Sequence, residues 1–108
     1  MGLDQYAFAR KGEEQIEISW WRKHANLEGW MSDLYHSRGG EGQFNCVELR
    51  LFDADLLKLE KENSNLKTAT GFFWGASYPE DIDSTKEFIE EAKRLSAEGY
   101  EIIYTSWW

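Results

Sequence analysis

The one dense basic cluster in the chain, Arg22-Lys23-His24, stands immediately before a predicted helix. Asn26 is a residue type that favours the N-cap position of a helix. The first turn of a helix offers unpaired N–H groups and the positive end of the helix dipole, which together favour phosphate or carboxylate. The cluster is therefore a candidate site for a compact anion. A solvated strand end is the alternative, and Glu28 in the first turn competes for the same field.

Catalysis is a third use of the same residues. His24 suits general acid–base chemistry near neutral pH. Cys46, the single cysteine, follows Asn45 on a predicted strand, where a cysteine is more often a small buried hydrophobe than a nucleophile. No Cys or carboxylate pattern surrounds His24 and His36 at zinc spacing. We therefore expect no metal, no cofactor and no catalytic residue. An enzyme acting on a phosphate ester or acyl group through His24, Arg22 and Cys46 ranks last among our hypotheses.

Tryptophan is strongly over-represented, with six in 108 residues. Trp20 and Trp30 lie on predicted apolar faces, where such residues are usually core. Strand alternation places Trp21 on the face opposite the isoleucines of its strand, and Trp74 and Trp107-Trp108 are hard to bury together on one face. Exposed aromatic surface usually marks binding, and an aromatic ring can stack a nucleobase for about 1–3 kcal/mol.

These residues predict one concave site with aromatic walls and a cationic rim. Its predicted ligand-binding members are Trp21, Arg22, Lys23, His24, Asn26, Trp30, Asn45, Trp74, Trp107 and Trp108.

The elements that must position this site follow from periodicity. Alternation predicts strands over residues 4–10 and 15–21, joined by a turn at 11–14 as a hairpin. Helical spacing predicts a helix that Asn26 caps and that ends near Arg38. Residues 44–51 alternate as a strand, and Asp53 is predicted to cap a short helix that ends at residues 63–65.

The C-terminal half is predicted in the same way. Residues 70–75 fit either a strand or a ligand-facing loop. Ser84 and Glu87 form a possible capping box for a helix, and Gly99 suits its left-handed C-terminal cap. Residues 100–106 are the final strand. The order β-β-α-β-α-(β)-α-β predicts a single two-layer α+β domain over 1–108. About three helices would cover one face of a mixed or mainly antiparallel sheet of four to five strands.

Composition excludes several classes of function. No apolar run approaches the roughly 20 residues of a membrane span, and the first residues lack the pattern of a secretion signal. A lone cysteine suits a reducing cytoplasm. Twelve basic against twenty acidic residues, a net charge of −8, disfavour binding of long nucleic acid.

Several segments resemble a family of small phage and bacterial proteins, and the resemblance runs nearly end to end. They are Met1-Gly2-Leu3-Asp4-Gln5-Tyr6, Trp21-Arg22-Lys23-His24 with Asn26-Leu27 and Gly29-Trp30-Met31, Phe44-Asn45-Cys46-Val47-Glu48-Leu49, Thr70-Gly71-Phe72-Phe73 and Ser106-Trp107-Trp108. Members are often labelled phosphoglycerate kinase. We do not expect that activity, because such a kinase is a much larger two-domain protein and no nucleotide loop is present. The resemblance implies a phage-like accessory protein and names no catalytic residues.

The leading functional hypothesis is binding, or sequestration, of a small anionic ring-bearing ligand such as a nucleotide or nucleotide-derived signal. The alternative is an inhibitor or adaptor that docks on a host protein, because an acidic surface with exposed Trp and Tyr suits an interface. Both hypotheses place the protein in the cytoplasm, which is the host cytoplasm if the protein is phage-encoded, and neither fixes its oligomeric state.

Overall fold

The first strand of the N-terminal hairpin and the C-terminal strand form the middle of a four-stranded sheet in a computed structural model, which describes residues 2–66 and 77–108. The elements within these ranges are β1 (Asp4–Lys11), β2 (Glu14–Arg22), α1 (Ala25–Ser37), β3 (Leu49–Leu51), α2 (Asp53–Glu62), a 3-10 turn (Asn63–Asn65), α3 (Glu80–Ala97) and β4 (Glu101–Trp107).

The sheet is antiparallel throughout and has the strand order β2-β1-β4-β3. Three helices pack against it, so the predicted α+β class is confirmed. The predicted hairpin is also confirmed, since β1 and β2 pair along their whole length. Residues 70–75, which fitted either a strand or a loop, lie outside the described residues.

The two faces of the sheet differ in what covers them. One face joins all three helices in a single core, whose members include Ala7, Ala9, Trp21, Leu27, Met31, Leu56, Leu59, Phe88, Ile89, Ile102 and Tyr104. The side chains that alternate with these core residues along each strand point to the other side of the sheet, which we call the open face. Its residues are Asp4, Tyr6, Phe8, Arg10, Gln15, Glu17, Trp20, Arg22, Arg50, Glu101, Ile103, Thr105 and Trp107.

A β-bulge in β2 reverses the expected positions of the two adjacent tryptophans. Ala7 pairs with Ser19 but Phe8 pairs with Glu17, so Ile18 is an extra residue on β2. A bulge shifts the alternation of every residue beyond it. Trp21 therefore lies on the core face and is 3% exposed, whereas Trp20 is 53% exposed. The prediction from strict alternation, with Trp20 in the core and Trp21 outside it, is wrong.

The third predicted strand is much shorter than expected. Of residues 44–51, which were predicted as a strand, only Leu49–Leu51 pair with β4. Cys46 has a φ of 59°, a left-handed conformation that a continuous strand does not accommodate. Residues 44–48 are instead a loop that crosses the end of β4, where the Cys46 N–H donates to Ser106 O at 2.8 Å.

All three described helices differ from the capping predictions at their starts. The N-cap residue of α2 is Phe52, whose N–H donates to Asp55 Oδ2 at 2.8 Å, and Asp53 is the first residue of the helix. The N-cap residue of α1 is His24, and Asn26 lies within the first turn. The helix predicted to start at Ser84 begins at Glu80, because the Asp81 carboxylate accepts the N–H of Tyr78 at 2.7 Å. Gly99, with a φ of 96°, confirms the predicted left-handed end of α3.

Candidate functional site

Trp21 is part of the hydrophobic core. Its ring makes an edge-to-face contact with Phe88, with centroids 5.2 Å apart, and lies 6.3 Å from the ring of Tyr104. The indole N–H donates to Ser84 Oγ at 3.1 Å. The predicted ligand-binding residue Trp21 is therefore 3% exposed and holds α3 against the sheet.

The two basic residues that follow Trp21 are exposed and lie apart from the His24 ring. Arg22 Nε lies 3.7 Å from a carboxylate oxygen of Asp4, its cross-strand partner. Lys23 has a φ of 61°, and its N–H donates to Leu3 O at 2.9 Å. This left-handed turn moves the chain from the end of β2 to the start of α1.

His24 lies inside the protein, 2% exposed, with both ring nitrogens hydrogen-bonded. Nδ1 lies 2.7 Å from Ser77 Oγ and Nε2 lies 3.2 Å from Thr85 Oγ1. Because the Thr85 hydroxyl donates to Asp81 O at 2.7 Å, its oxygen accepts from Nε2–H. Nδ1 is then the acceptor for the Ser77 hydroxyl.

The pKa of His24 is lowered, chiefly by burial, which disfavours the imidazolium. The Asp81 carboxylate, 3.9 Å from Nδ1, opposes this shift. A neutral His24 that accepts a proton from a serine is also the geometry of an activated nucleophile. Here, however, Ser77 Oγ already accepts the Asn26 N–H at 3.0 Å, so the serine caps α1 and we assign it no catalytic role.

Cys46 and His24 do not form a catalytic pair. The Cys46 thiol is exposed and contacts Asn45 Oδ1 at 3.5 Å, whereas both nitrogens of His24 bind hydroxyl groups. Within the described ranges, no group of three or more His, Cys, Asp or Glu side chains could hold a metal ion.

Asn45 and Trp108 pair with each other at the end of the chain. The Asn45 amide donates to Trp108 O at 2.9 Å, and the Trp108 N–H donates to Asn45 Oδ1 at 3.0 Å. The Trp108 indole N–H donates to Phe44 O at 3.0 Å and to Glu28 Oε2 at 3.1 Å. Two residues of the proposed site are thus brought together, and their contacts fasten β4 to the loop before β3.

Glu28 is the centre of a buried polar network. It is fully buried, and its carboxylate accepts hydrogen bonds from the Tyr104 hydroxyl at 2.6 Å and the Ser106 hydroxyl at 2.8 Å, besides the Trp108 indole. Burial raises the pKa of Glu28, and the three donors lower it in part. The pKa of Tyr104 is raised well above its usual value, first by burial and then by the neighbouring carboxylate.

Gln5 links this network to the basic cluster. Its side chain accepts the His24 N–H at 2.8 Å and donates both to His24 O at 3.0 Å and to the Tyr104 hydroxyl at 2.9 Å. The order of contacts is therefore the start of α1, then Gln5, Tyr104 and Glu28. We call Gln5, Glu28, Tyr104, Ser106 and Trp108 the Glu28 network.

The remaining predicted residues lie elsewhere. The Trp30 indole is half-buried and donates to Glu62 at 3.3 Å, which joins α1 to α2. Trp107 lies on the open face, 56% exposed, with its ring centroid 6.0 Å from that of Tyr6. Trp74 lies outside the described residues. Apart from immediate neighbours in sequence, the described members that lie close together are His24 with Asn26 and Asn45 with Trp108. The described members therefore do not form one shared cavity.

Sequence reasoning missed the polar residues that organise these places. Gln5, Glu28 and Ser77 were given no positive role, because nothing in local periodicity marks a buried polar group. One signal was available for Glu28: it occupies a position one turn before Met31 and Ser32, on the side of α1 that carries Leu27 and Met31. An acidic residue among core positions indicates a buried partner.

Comparison with known proteins adds no relative. A scan against protein-family models, a search of curated proteins and a search of solved structures each found no match to this chain.

Proposed function

We propose that this protein acts by binding a partner protein through the open face of its sheet. The observation that carries the proposal is the exposure of two tryptophans there, Trp20 at 53% and Trp107 at 56%. Tyr6 lies between them, paired with Trp20 across β2 and 6.0 Å from the Trp107 ring. A soluble monomer rarely leaves such aromatic surface uncovered unless it binds something.

Two apolar side chains near these rings on the open face also support a docking surface. Phe8 and Ile103 pair across β1 and β4 and are nearly buried, at 9% and 4% exposure, although none of the described helices packs on this side. Trp and Tyr side chains beside such apolar residues are the residue types that dominate interface energies.

The charges around the rings favour a protein over a nucleic acid. Each arginine of the open face lies beside an acid: Arg10 is 3.0 Å from Glu48, and Arg50 is 3.4 Å from Glu101. Arg22 lies 3.7 Å from Asp4. Cations that are already paired gain little from phosphate. The net charge of −8 instead favours encounter with a positively charged protein surface.

The place of action is part of the proposal. The resemblance to small phage and bacterial proteins supports a bacterial host protein as the partner, so that the chain would act as an inhibitor or adaptor in the host cytoplasm. None of the helices in the described part of the chain is long and apolar enough to cross a membrane.

Replacement of both exposed indoles tests the proposal. A photo-crosslinking amino acid is placed at Thr105, beside Tyr6 on the open face, in the unaltered chain, in the Trp20→Ala, Trp107→Ala variant and in Leu57→Ala. Leu57 is 50% exposed on α2 and serves as the matched control. We expect one bacterial protein to crosslink to the unaltered chain and to Leu57→Ala but not to the double variant. With that protein purified, the double variant should raise Kd about thirtyfold or more, corresponding to about 2 kcal/mol.

Two results would overturn the proposal. One is a crosslinked partner, or a Kd, that is the same for all three chains. The other is self-association through the open face, seen as a dimer by analytical ultracentrifugation that the double variant abolishes. Circular dichroism and urea unfolding should show that the double variant is folded, since exposed substitutions usually change stability by about 0.5 kcal/mol or less.

A further inference from the structure

The last residues of β4 are held differently on their two sides. On one side β4 pairs with β1 as far as Trp107, which lies opposite Asp4. On the other side β3 pairs only with residues 102–104 of β4. Strand pairing alone therefore leaves residues 105–108 bound on one side, and segments with few contacts open locally at little cost in free energy.

The side chain of Asn45 takes the place of the missing strand. Its amide donates to Trp108 O at 2.9 Å, and its Oδ1 accepts the Trp108 N–H at 3.0 Å. Two opposed residues of an antiparallel ladder exchange the same two bonds through their main chains. We call these two bonds the Asn45 clamp. Together with the bond from Cys46 N–H to Ser106 O, the clamp continues the pairing of β4 beyond the end of β3.

The loop that carries the clamp is packed in the core. Phe44 is buried, with its ring centroid 5.2 Å from that of Tyr35 and 6.1 Å from that of Tyr104. Its carbonyl oxygen accepts the Trp108 indole N–H, which also donates to Glu28. Trp108 is therefore held both by its main chain and by its indole, and its partners belong to well-buried parts of the fold.

Trp107 lies between two such fixed residues but points the other way. Ser106 is buried and its hydroxyl donates to Glu28 Oε2 at 2.8 Å, whereas the exposed Trp107 ring makes an edge contact with Tyr6. A side chain that must be ordered on binding costs affinity, whereas one that is already fixed does not. The contacts of Ser106 and Trp108 on the helix-covered side therefore determine how well Trp107 is placed for a partner.

We infer that Asn45 is a positioning residue of the partner-binding surface. The Asn45 clamp holds the end of β4 in the sheet and thereby fixes the Trp107 ring on the open face. Asn45 acts through Trp107 and does not itself bind the partner. The inference rests on the proposed function, because it gives Asn45 a part in the same binding surface.

Nuclear magnetic resonance tests the positioning in the free protein. ¹H–¹⁵N heteronuclear NOEs are measured for the main-chain and indole N–H groups of Trp107, and proton–proton NOEs between the rings of Tyr6 and Trp107 report their contact. Asn45→Ala removes the clamp, whereas Asn45→Asp keeps the acceptor for the Trp108 N–H and loses the donor. We expect the Trp107 NOEs to fall in Asn45→Ala and to fall less in Asn45→Asp, with no change at Ile103 in the middle of β4.

Two control variants separate this effect from general destabilisation. Asn65→Ala replaces an exposed asparagine in the 3-10 turn. Ile102→Val removes a methyl group from a buried residue at the other end of β4, which lowers stability without touching the clamp. Both variants should leave the Trp107 NOEs unchanged, and urea unfolding shows that every variant is folded.

Affinity tests the consequence for recognition. The partner is the purified bacterial protein that crosslinks through Thr105. We expect Asn45→Ala to raise its Kd about tenfold, since ordering the main chain of about one residue on binding has a cost of this size. Asn65→Ala and Ile102→Val should bind with the Kd of the unaltered chain.

The outcomes that contradict the inference differ from those that contradict the proposed function. The inference is overturned if Trp107 stays ordered in Asn45→Ala, or if Ile102→Val disorders it equally. It is also overturned if Asn45→Ala binds normally while the Trp20→Ala, Trp107→Ala variant binds weakly, and the proposed function then stands. If the double variant also binds normally, or no protein crosslinks through Thr105, the proposed function is overturned and the inference with it.

Discussion

Two consecutive tryptophans at the end of β4 have opposite environments. Trp107 points to the open face, whereas Trp108 donates its indole N–H to Glu28 and to Phe44 O. The same residue type therefore serves surface recognition at one position and attachment of the chain at the next.

Removal of the indole N–H separates these roles. We expect Trp108→Phe to lower the free energy of unfolding by about 1–2 kcal/mol, since Phe44 O loses the indole donor and the buried Glu28 carboxylate loses one of its three donors. Trp107→Phe should change it by about 0.5 kcal/mol or less. Urea unfolding measures both variants, and equal losses would contradict the assignment.

The buried imidazole of His24 predicts a pH dependence of stability. Burial lowers its folded pKa below the ordinary 6.5, so the unfolded chain binds more protons between the two values. The contribution of neutral His24 is therefore complete above pH 6.5 and is lost as pH falls through the folded pKa, with a slope of at most about 1.4 kcal/mol per pH unit.

Comparison with a non-titrating side chain isolates this effect. Glu28 acts in the opposite direction, because its raised pKa favours protonation in the folded state and stabilises that state as pH falls towards 4.5. Urea unfolding from pH 7.5 to 5 should therefore be compared between the unaltered chain and His24→Gln. We expect the free energy of unfolding of the unaltered chain to fall more steeply than that of the variant as pH is lowered. Parallel curves would contradict the prediction.

For individual residues, the sequence indicated which are unusual but not where they lie in the structure. The basic cluster, Asn45 and the tryptophans were selected by type, and several of them do make specific polar contacts. Their partners are far away in the chain: Trp108 meets Glu28 across 80 positions and His24 meets Thr85 across 61. No local pattern encodes such a pairing.

Helix α1 is capped by a residue from another part of the fold. The side chain of its N-cap residue, His24, forms no cap bond, and Ser77, 51 positions further along the chain, accepts the Asn26 N–H. The cap of α1 therefore depends on the position of the chain before α3.

Loss of this hydroxyl should destabilise the whole domain. We expect Ser77→Ala to lower the free energy of unfolding by about 1–2 kcal/mol, because the helix loses its cap and Nδ1 of His24 loses a donor. Ser64→Ala, an exposed serine in the 3-10 turn, is the control and should change it by about 0.5 kcal/mol or less. Thermal and urea unfolding give the comparison, and a Ser77→Ala variant as stable as the control would refute the role.

Elements with strong periodicity could be predicted, and those that depend on one irregular residue could not. The hairpin, α1 and the end of α3 at Gly99 follow from alternation, helical spacing and left-handed glycine. The bulge at Ile18 and the left-handed Cys46 are tertiary adjustments that no local pattern marks. These two residues reversed the faces of Trp20 and Trp21 and shortened β3.

For the whole molecule, the class could be predicted because the order of elements and the apolar faces allow few two-layer arrangements. The prediction of one shared site was wrong for the described members, because the sequence does not show how side chains are distributed between the two faces of one sheet. Trp21 belongs to the core, Trp107 to the open face and Trp108 to the Glu28 network. The domain thus separates an aromatic surface from a buried polar network.

The central position of β1 has a consequence for how the chain folds. β1 pairs with β2 through a short turn but with β4 across nearly the full chain, with Asp4 opposite Trp107. Contacts this distant slow the search for the native state. During synthesis, the hairpin leaves the ribosome early. The edge of β1 that later pairs with β4 stays unpaired until β4 has been synthesised. An unpaired strand edge invites aggregation, so we expect nascent chains halted before residue 101 to engage chaperones and released full-length chains to be free of them.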